Sequence, residues 1–174
     1  MRLFIALDLE PYESYFSNLQ SHLDKNSANL KLTESYHLTL KFLGDVMPQY
    51  VENYKKLLSE IKFKPFDITF SKIAYFSPKH IHVIFASLKD NRKLMTLQAQ
   101  IDNSLRKYFP KEERFHPHVT LARVKQVYDK ETLLKNIKTI PIESKTIKIN
   151  HFKLILSTLT SEGPIYETIA ECNN

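Results

Sequence analysis

Two tetrapeptides of this chain follow the same pattern of one histidine, one threonine and two apolar residues. They are His37-Leu38-Thr39-Leu40 and His118-Val119-Thr120-Leu121. In an extended strand alternate side chains point to opposite faces, so each histidine shares a face with its threonine while the aliphatic residues share the other. The pattern predicts two strands that bury their aliphatic side and present an imidazole and a hydroxyl. Two such strands across one cleft would supply a proton donor and a proton acceptor near neutral pH.

Composition excludes several other classes of protein. The chain has 174 residues, a net charge of +6 and two glycines, Gly44 and Gly163, which rules out a glycine-rich phosphate loop. The lone cysteine, Cys172, cannot form an intramolecular disulfide and suits a reducing compartment. No signal peptide or membrane-spanning apolar run is present, so we expect a soluble, cytoplasmic protein with no membrane association. The positive charge permits an RNA partner without requiring one.

Hydrophobic periodicity predicts an alternation of strands and helices. Strands are expected over residues 2–8, 37–42, 65–76, 81–88, 118–122, 145–157 and 164–171, helices over 11–25, 48–61, 91–108 and 129–138, a polar loop over 26–35 and a turn over 161–164. Each motif strand follows a strand, a helix and a loop. This weak repeat predicts an α+β fold in which residues 1–174 form a single domain of two lobes, each lobe giving one motif strand to a shared cleft.

Four stretches of the chain resemble the two-histidine (2H) phosphoesterase superfamily, and in particular the RNA 2′,3′-cyclic phosphodiesterases of the LigT or ThpR group, once called 2′-5′ RNA ligases. These stretches are RLFIAL over residues 2–7, HLTLKFLG over 37–44, FHPHVTLAR over 115–123 and the run from Ser157 to Tyr166 that ends EGPIY. They span nearly the whole chain in the order found in the family. The resemblance implies a bilobal fold with two antiparallel sheets about a pseudo-twofold axis, outer helices and a central cleft.

The resemblance also implies metal-independent opening of an RNA 2′,3′-cyclic phosphate to a 2′-phosphate, without a cofactor. His37 would be the general acid for the departing 3′ oxygen and His118 the general base for water. Thr39 and Thr120 would bind phosphate oxygens, and Arg123 would add charge there. Phe4 matches an aromatic residue near the substrate cleft of the family. The expected partner is RNA or a nucleotide with a cyclic phosphate, with no obligate protein partner and a monomeric state.

Some residues keep an alternative interpretation. Arg123 has the opposite parity to Thr120, so a regular strand would point it away from the cleft as a surface salt-bridge partner, whereas a strand that twists or ends there would leave it at the site. Lys41 has the parity of His37 and would either help RNA binding or be a solvated surface lysine. The pair His116 and His118 has a spacing that can bind zinc, although the intervening proline and the resemblance favour no metal. His80 and His82 flank the start of a strand and could reach a cleft, but a loop or polar face is the favoured position.

Three functions remain open at this point. The leading one is a hydrolase of 2′,3′-cyclic phosphates. A 2H enzyme acting on 2′-5′ phosphodiesters, or ligating them in reverse, uses the same residues. A non-catalytic module that binds RNA ends is the third, and the intact histidine pair argues against it. Because the two motifs are nearly symmetric, only the resemblance assigns the acid and the base.

Overall fold

The computed structural model describes residues 1–161 and 163–173 of the chain. This part contains the strands β1 (Arg2–Asp8), β2 (Ala28–Leu32), β3 (His37–Asp45), β4 (Phe66–Tyr75), β5 (Val83–Leu88), β6 (His118–Val127), β7 (Thr146–Ile149), β8 (His151–Leu159) and β9 (Pro164–Asn173). Its helices are α1 (Glu13–Ser21), α2 (Val51–Ser59), α3 (Arg92–Ser104) and α4 (Lys130–Thr139).

The strands form two antiparallel sheets. The first has the order β3-β1-β8-β9 and the second the order β2-β6-β5-β4-β7. Strand β1 pairs with the first motif strand β3 as β5 pairs with the second motif strand β6, and a helix intervenes in each case. The fold prediction of an α+β protein with two antiparallel sheets and paired motif strands is therefore confirmed.

The helices cover the sheets through narrow apolar stripes. Residues three or four apart on α1, Tyr15, Phe16 and Leu19, are buried, and α3 buries Leu94, Leu97 and Ile101 in the same way. Helices α3 and α4 begin at side-chain caps, because Asn91 and Asp129 accept hydrogen bonds from the backbone N–H groups of Leu94 and Thr132. One continuous cluster of buried aliphatic and aromatic residues includes side chains from both sheets.

Two predictions of local structure are wrong. Residues 26–35 are not all loop, since β2 lies within them and pairs with β6. The strand predicted over 145–157 is two strands, because the chain leaves the second sheet after Ile149 and enters the first at His151. Alternating hydrophobicity is the same in either sheet, so the sequence pattern does not register that change. The turn predicted over 161–164 includes Glu162, which lies outside the described residues, as does Asn174.

Candidate active site

Matching irregularities in the two motif strands set the direction of their side chains. Along β3, Thr39 pairs with Ala6 and Lys41 with Ile5, so Leu40 is an extra residue, a β-bulge. Along β6, Thr120 pairs with Phe85 and Ala122 with Ile84, which makes Leu121 the equivalent extra residue. Each bulge reverses the alternation of faces for the residues that follow it.

The bulge in β6 turns Arg123 to the side of His118 and Thr120. Leu121 and Ala122 are both buried in succession, after which Arg123 is exposed and lines the cavity that also contains Thr120. Of the two alternatives for Arg123, the regular strand that points it away from the cleft is therefore wrong, because β6 is irregular at Leu121.

The bulge is held in place by a polar side chain from the other half of the fold. Gln20 of α1 donates from its Nε2 to the carbonyl oxygens of Leu121 at 2.7 Å and Thr33 at 2.8 Å. Its Oε1 accepts from the Tyr36 hydroxyl at 2.8 Å, and the N–H of Thr33 also donates to the Leu121 carbonyl at 2.9 Å. These bonds satisfy a carbonyl that the bulge removes from the regular ladder.

The equivalent bulge in β3 buries Lys41. Its ammonium group forms an ion pair with Asp102 of α3 and donates to the carbonyl oxygen of Pro110 at 2.8 Å. Lys41 is only 4% exposed. It is therefore neither an RNA-binding residue of the cleft nor a solvated lysine, and both interpretations from the sequence are wrong. The next residue, Phe42, lies instead on the cleft side and is 71% exposed.

His37 lies between two aromatic rings. The Phe4 ring is centred 5.0 Å from the imidazole and the Tyr166 ring 5.2 Å from it. Burial, aided by the charge of His118, lowers the pKa of His37 from 6.5 to about 4, and the carboxylate of Asp8 opposes the shift. Asp8 itself pairs with Lys153 at 2.5 Å. His37 is therefore neutral in the free protein at neutral pH, with a carboxylate beside it that favours its protonation.

His118 has a similar environment and one additional hydrogen bond. Its Nδ1 lies 2.8 Å from the carbonyl oxygen of His116, and a carbonyl only accepts, so Nδ1 carries the hydrogen. The rings of Phe76 and Phe85 are centred 5.0 and 5.1 Å from the imidazole. Burial lowers the pKa of His118, against the opposing effect of the bond to His116. The neutral ring therefore has its lone pair on Nε2.

Both histidines line one cavity of about 350 Å³ between the sheets. Its walls include every residue that the sequence predicted for the site, namely His37, His118, Thr39, Thr120, Arg123 and Phe4. Phe4 is 3% exposed and contacts the cavity beside His37. A second cleft of about 130 Å³ shares His37, Thr120 and Arg123 and extends toward Lys31 and Pro164.

Several residues of the site carried no recognised signal in the sequence. They are Tyr166, which falls in the last stretch of family resemblance, and the two phenylalanines Phe76 and Phe85. Phe76 is 54% exposed, so it is not a core residue. The sequence pattern shows only which side of a strand an aromatic ring faces. The fold is needed to show that a histidine of the candidate site lies on that side.

A metal site at His116 and His118, which the sequence left as an alternative, would need a third ligand. Within residues 1–161 and 163–173, no group of three or more histidine, cysteine, aspartate or glutamate side chains is arranged to hold a metal ion. In the same part of the chain, no helix has the length and apolar character needed to cross a membrane.

Comparison with known proteins agrees with this geometry. Residues 9–157 match the family described as the 2′-5′ RNA ligase superfamily. An RNA 2′,3′-cyclic phosphodiesterase of Thermotoga maritima is 36% identical over 99% of this chain and 95% of its own length. The chain belongs to the 2′-5′ RNA ligase superfamily. A second RNA 2′,3′-cyclic phosphodiesterase, from Methanocaldococcus jannaschii, is 34% identical over 98% of this chain and 99% of its own length.

Solved structures share the fold of this chain. A Thermus thermophilus protein, TT0787, superposes with a TM-score of 0.82 at 23% identity, covering 99% of this chain and 97% of its own. The Escherichia coli LigT protein complexed with 3′-AMP gives a TM-score of 0.75 at 19% identity, over 99% of this chain and 96% of its own. The 2H phosphoesterase fold expected from the sequence is thereby confirmed for this superfamily member.

Proposed function

We propose that this protein hydrolyses RNA 2′,3′-cyclic phosphate ends to 2′-phosphates, with His37 as general acid and His118 as general base. The observation that carries this proposal is the hydrogen bond from His118 Nδ1 to the His116 carbonyl. It leaves Nε2 as a proton acceptor on a ring that lines the same cavity as His37. The two relatives described above, which are named for this activity, support the same conclusion.

The reaction proceeds by displacement at phosphorus. His118 Nε2 takes a proton from water as the water oxygen forms a bond to phosphorus. The bond from phosphorus to the 3′ oxygen breaks, and that oxygen takes a proton from His37. The product is a 2′-phosphate with a free 3′ hydroxyl. Before the next cycle, His118 releases its proton to solvent and His37 takes one up. Acid and base groups of this kind contribute about 10²- to 10⁴-fold each.

Protonation of His37 depends on the substrate. In the free protein its pKa is about 4, so the acid form is scarce at neutral pH. A phosphate diester brings a negative charge into the cavity, which favours the imidazolium as the Asp8 carboxylate already does. The bound substrate thus raises the pKa of the residue that must protonate its leaving group.

The phosphate oxygens are held by Thr39, Thr120 and Arg123. The two hydroxyls stand on facing strands, each two residues after its histidine, and the guanidinium group enters from β6. No ion pair joins Arg123 to another residue in the described part of the chain. Its charge is therefore available for a phosphate, whose geometry a guanidinium matches. The nucleobase then lies toward Phe4 and the exposed Phe42 ring, whose centres are 6.0 Å apart.

A second reaction, cleavage or formation of 2′-5′ phosphodiesters, is favoured by the smaller cleft. That cleft begins at His37, Thr120 and Arg123 and continues past the phosphate position toward Lys31 and Pro164. A nucleoside attached to the far side of phosphorus would fit there in place of water. Comparing turnover of a 2′-5′ dinucleotide with that of a 2′,3′-cyclic nucleotide separates the two activities.

We further infer that residues 1–174 act as one domain of two lobes, as a cytoplasmic monomer. The shared core of the two sheets supports the single domain. The buried thiol of Cys172 in β9 supports a compartment that requires no disulfide. A single cooperative unfolding transition and a monomeric mass by light scattering would agree with this proposal.

The deciding experiment uses EDTA-treated protein and a short RNA ending in a 2′,3′-cyclic phosphate, with the product phosphate located by phosphorus NMR. We expect a 2′-phosphate with wild type and with the control His22→Ala, whose histidine is exposed on the surface, and none with His37→Ala or His118→Ala. A 3′-phosphate would reverse the leaving group and contradict the assignment of the acid. RNA binding without turnover by wild type would reject the enzyme in favour of a binding module.

A further inference from the structure

A third cleft lies at the far end of β6, next to the segment 76–82 that joins β4 to β5. The segment begins at Phe76, whose ring is 5.0 Å from that of His118, and ends at His82, whose carbonyl accepts from the Val124 N–H at 2.9 Å. The cleft has a volume of about 210 Å³. We call it the lysine cleft, since its walls contain Lys79, Lys125 and Lys130 together with His80 and His82.

The lysine cleft and the catalytic cavity are separate, but both are lined by residues of β6. Arg123 is exposed in the catalytic cavity, Val124 is buried and Lys125 is exposed again, so the two cationic side chains project from the same face. Two residues of a strand span about 7 Å, a separation similar to that of neighbouring phosphates on an extended single strand. The cationic side chains therefore form a path from the phosphate site to the cleft.

The charge of the lysine cleft is of one sign. No aspartate or glutamate is found among its lining residues within the described chain. The neighbouring carboxylate, Asp129, caps α4 by accepting from the N–H and the hydroxyl of Thr132. Asp129 thus already occupies the N-terminus of α4, and attraction for an anion comes from the three lysines.

The cleft also presents flat rings. The imidazoles of His80 and His82 are exposed and nearly parallel, with an angle of 7° and centres 6.1 Å apart. Phe76 at the start of the same segment is 54% exposed. A positive groove with exposed rings beside it is the combination by which proteins bind single-stranded nucleic acid, with lysines on phosphates and rings against bases.

We propose that the lysine cleft binds the RNA chain on the 5′ side of the reacting nucleotide. This inference rests on the proposed function, because a 2′,3′-cyclic phosphate is a 3′ terminus and the rest of the RNA leaves only in the 5′ direction. The substrate class is therefore an oligonucleotide, whose backbone reaches Lys125 and whose bases contact His80 and His82. A cyclic mononucleotide occupies the catalytic cavity alone.

The test compares kcat/KM for a 2′,3′-cyclic mononucleotide with that for a single-stranded oligonucleotide ending in the same nucleotide. The variant is the triple change Lys79→Gln, Lys125→Gln and Lys130→Gln. Its control is Lys62→Gln, Lys64→Gln and Lys93→Gln, which removes the same charge from lysines elsewhere on the surface. Circular dichroism verifies the fold of both.

We expect the cleft variant to lose oligonucleotide turnover while mononucleotide turnover stays within about twofold of wild type. Three phosphate contacts to a single strand correspond to a slope of about 2 in the dependence of log kcat/KM on log salt concentration. The ratio of kcat/KM of wild type to that of the variant, measured on the oligonucleotide, therefore decreases about 20-fold between about 50 and about 200 mM salt. The pair His80→Ala and His82→Ala lowers oligonucleotide turnover without changing that slope.

Equal losses on the two substrates, or equal losses in the cleft and control variants, would overturn the proposal. Failure of the proposed function is distinguishable, because wild type would then hydrolyse neither substrate. In that case fluorescence anisotropy of an oligonucleotide ending in a 3′-phosphate decides the matter separately. Weaker binding by the cleft variant alone supports the cleft, and binding equal to that of the control variant rejects it.

Discussion

The ring of Tyr166 is expected to control the pKa of His37. It meets the imidazole edge-on at 5.2 Å, and burial is the largest cause of the low pKa. Replacing it in Tyr166→Ala opens one side of His37 to water while Phe4, at 5.0 Å, still covers another. Water stabilises the imidazolium form, so the pKa of His37 should rise in this variant.

The magnitude follows from the shift itself. A pKa of about 4 in place of 6.5 corresponds to about 3 kcal/mol of lost preference for the charged form. Two rings share the covering of His37, and the charges of His118 and Arg123 remain, so we assign about 1 pKa unit to Tyr166. At pH 7 the protonated fraction of His37 would then rise from about one in a thousand to about one in a hundred.

The same shift appears in protein stability. The unfolded chain protonates His37 near 6.5, whereas the folded protein does so only near pH 4. Between these values the unfolded state binds more protons, so the free energy of unfolding decreases as the pH falls through this window. Tyr166→Ala raises the pKa of His37 in the folded protein, so the pH range over which stability is lost ends at a higher pH. The decrease in the free energy of unfolding that is caused by protonation of His37 should therefore be smaller by about 1 kcal/mol.

The assay is an NMR titration of the His37 imidazole, combined with urea unfolding between about pH 4 and pH 7. The matched control is Tyr128→Ala, because Tyr128 is a 59% exposed tyrosine just beyond the far end of β6. Its loss should leave the pKa of His37 at about 4. A folded Tyr166→Ala protein with the wild-type His37 pKa would refute the contribution of Tyr166 to that pKa.

Three further changes test other parts of the site. Thr120→Val keeps a β-branched side chain but removes a phosphate donor, so kcat/KM on a cyclic nucleotide should fall about tenfold at unchanged melting temperature. Lys41→Met leaves the buried Asp102 carboxylate without its cationic partner and should lower the free energy of unfolding by about 3–5 kcal/mol. Adding Asp102→Leu should restore most of that loss. If urea unfolding showed that the losses of the two substitutions add, this explanation would be contradicted. Gln20→Leu removes the support of the β6 bulge and should lower both the free energy of unfolding, by about 1–3 kcal/mol, and the activity. Gln98→Leu should lower neither, because the buried Nε2 of Gln98 has no hydrogen-bond partner within the described residues.

Much of the fold and of the site follows from local sequence patterns. Alternating and helical periodicities predict most of the strands and helices, because each element buries one face against a core. The repeated histidine and threonine tetrapeptides predict two equivalent strands with those side chains on one face, and both sets line the cavity. The short strand β2 was not predicted, because polar residues surround it and its pairing with β6 exists only in the assembled sheet.

What the sequence by itself determined is the identity of the reacting groups and their two-residue spacing on a strand. Tertiary structure decided their environment and the direction of the residues beyond them. The bulges at Leu40 and Leu121 send Lys41 into the core and Arg123 into the cavity, against the alternation of a regular strand. Bulges depend on partners distant in the chain, such as Gln20 for Leu121, which no local pattern contains. The low pKa of His37 is likewise caused mainly by burial, and the rings beside its imidazole, Phe4 and Tyr166, come from two other strands.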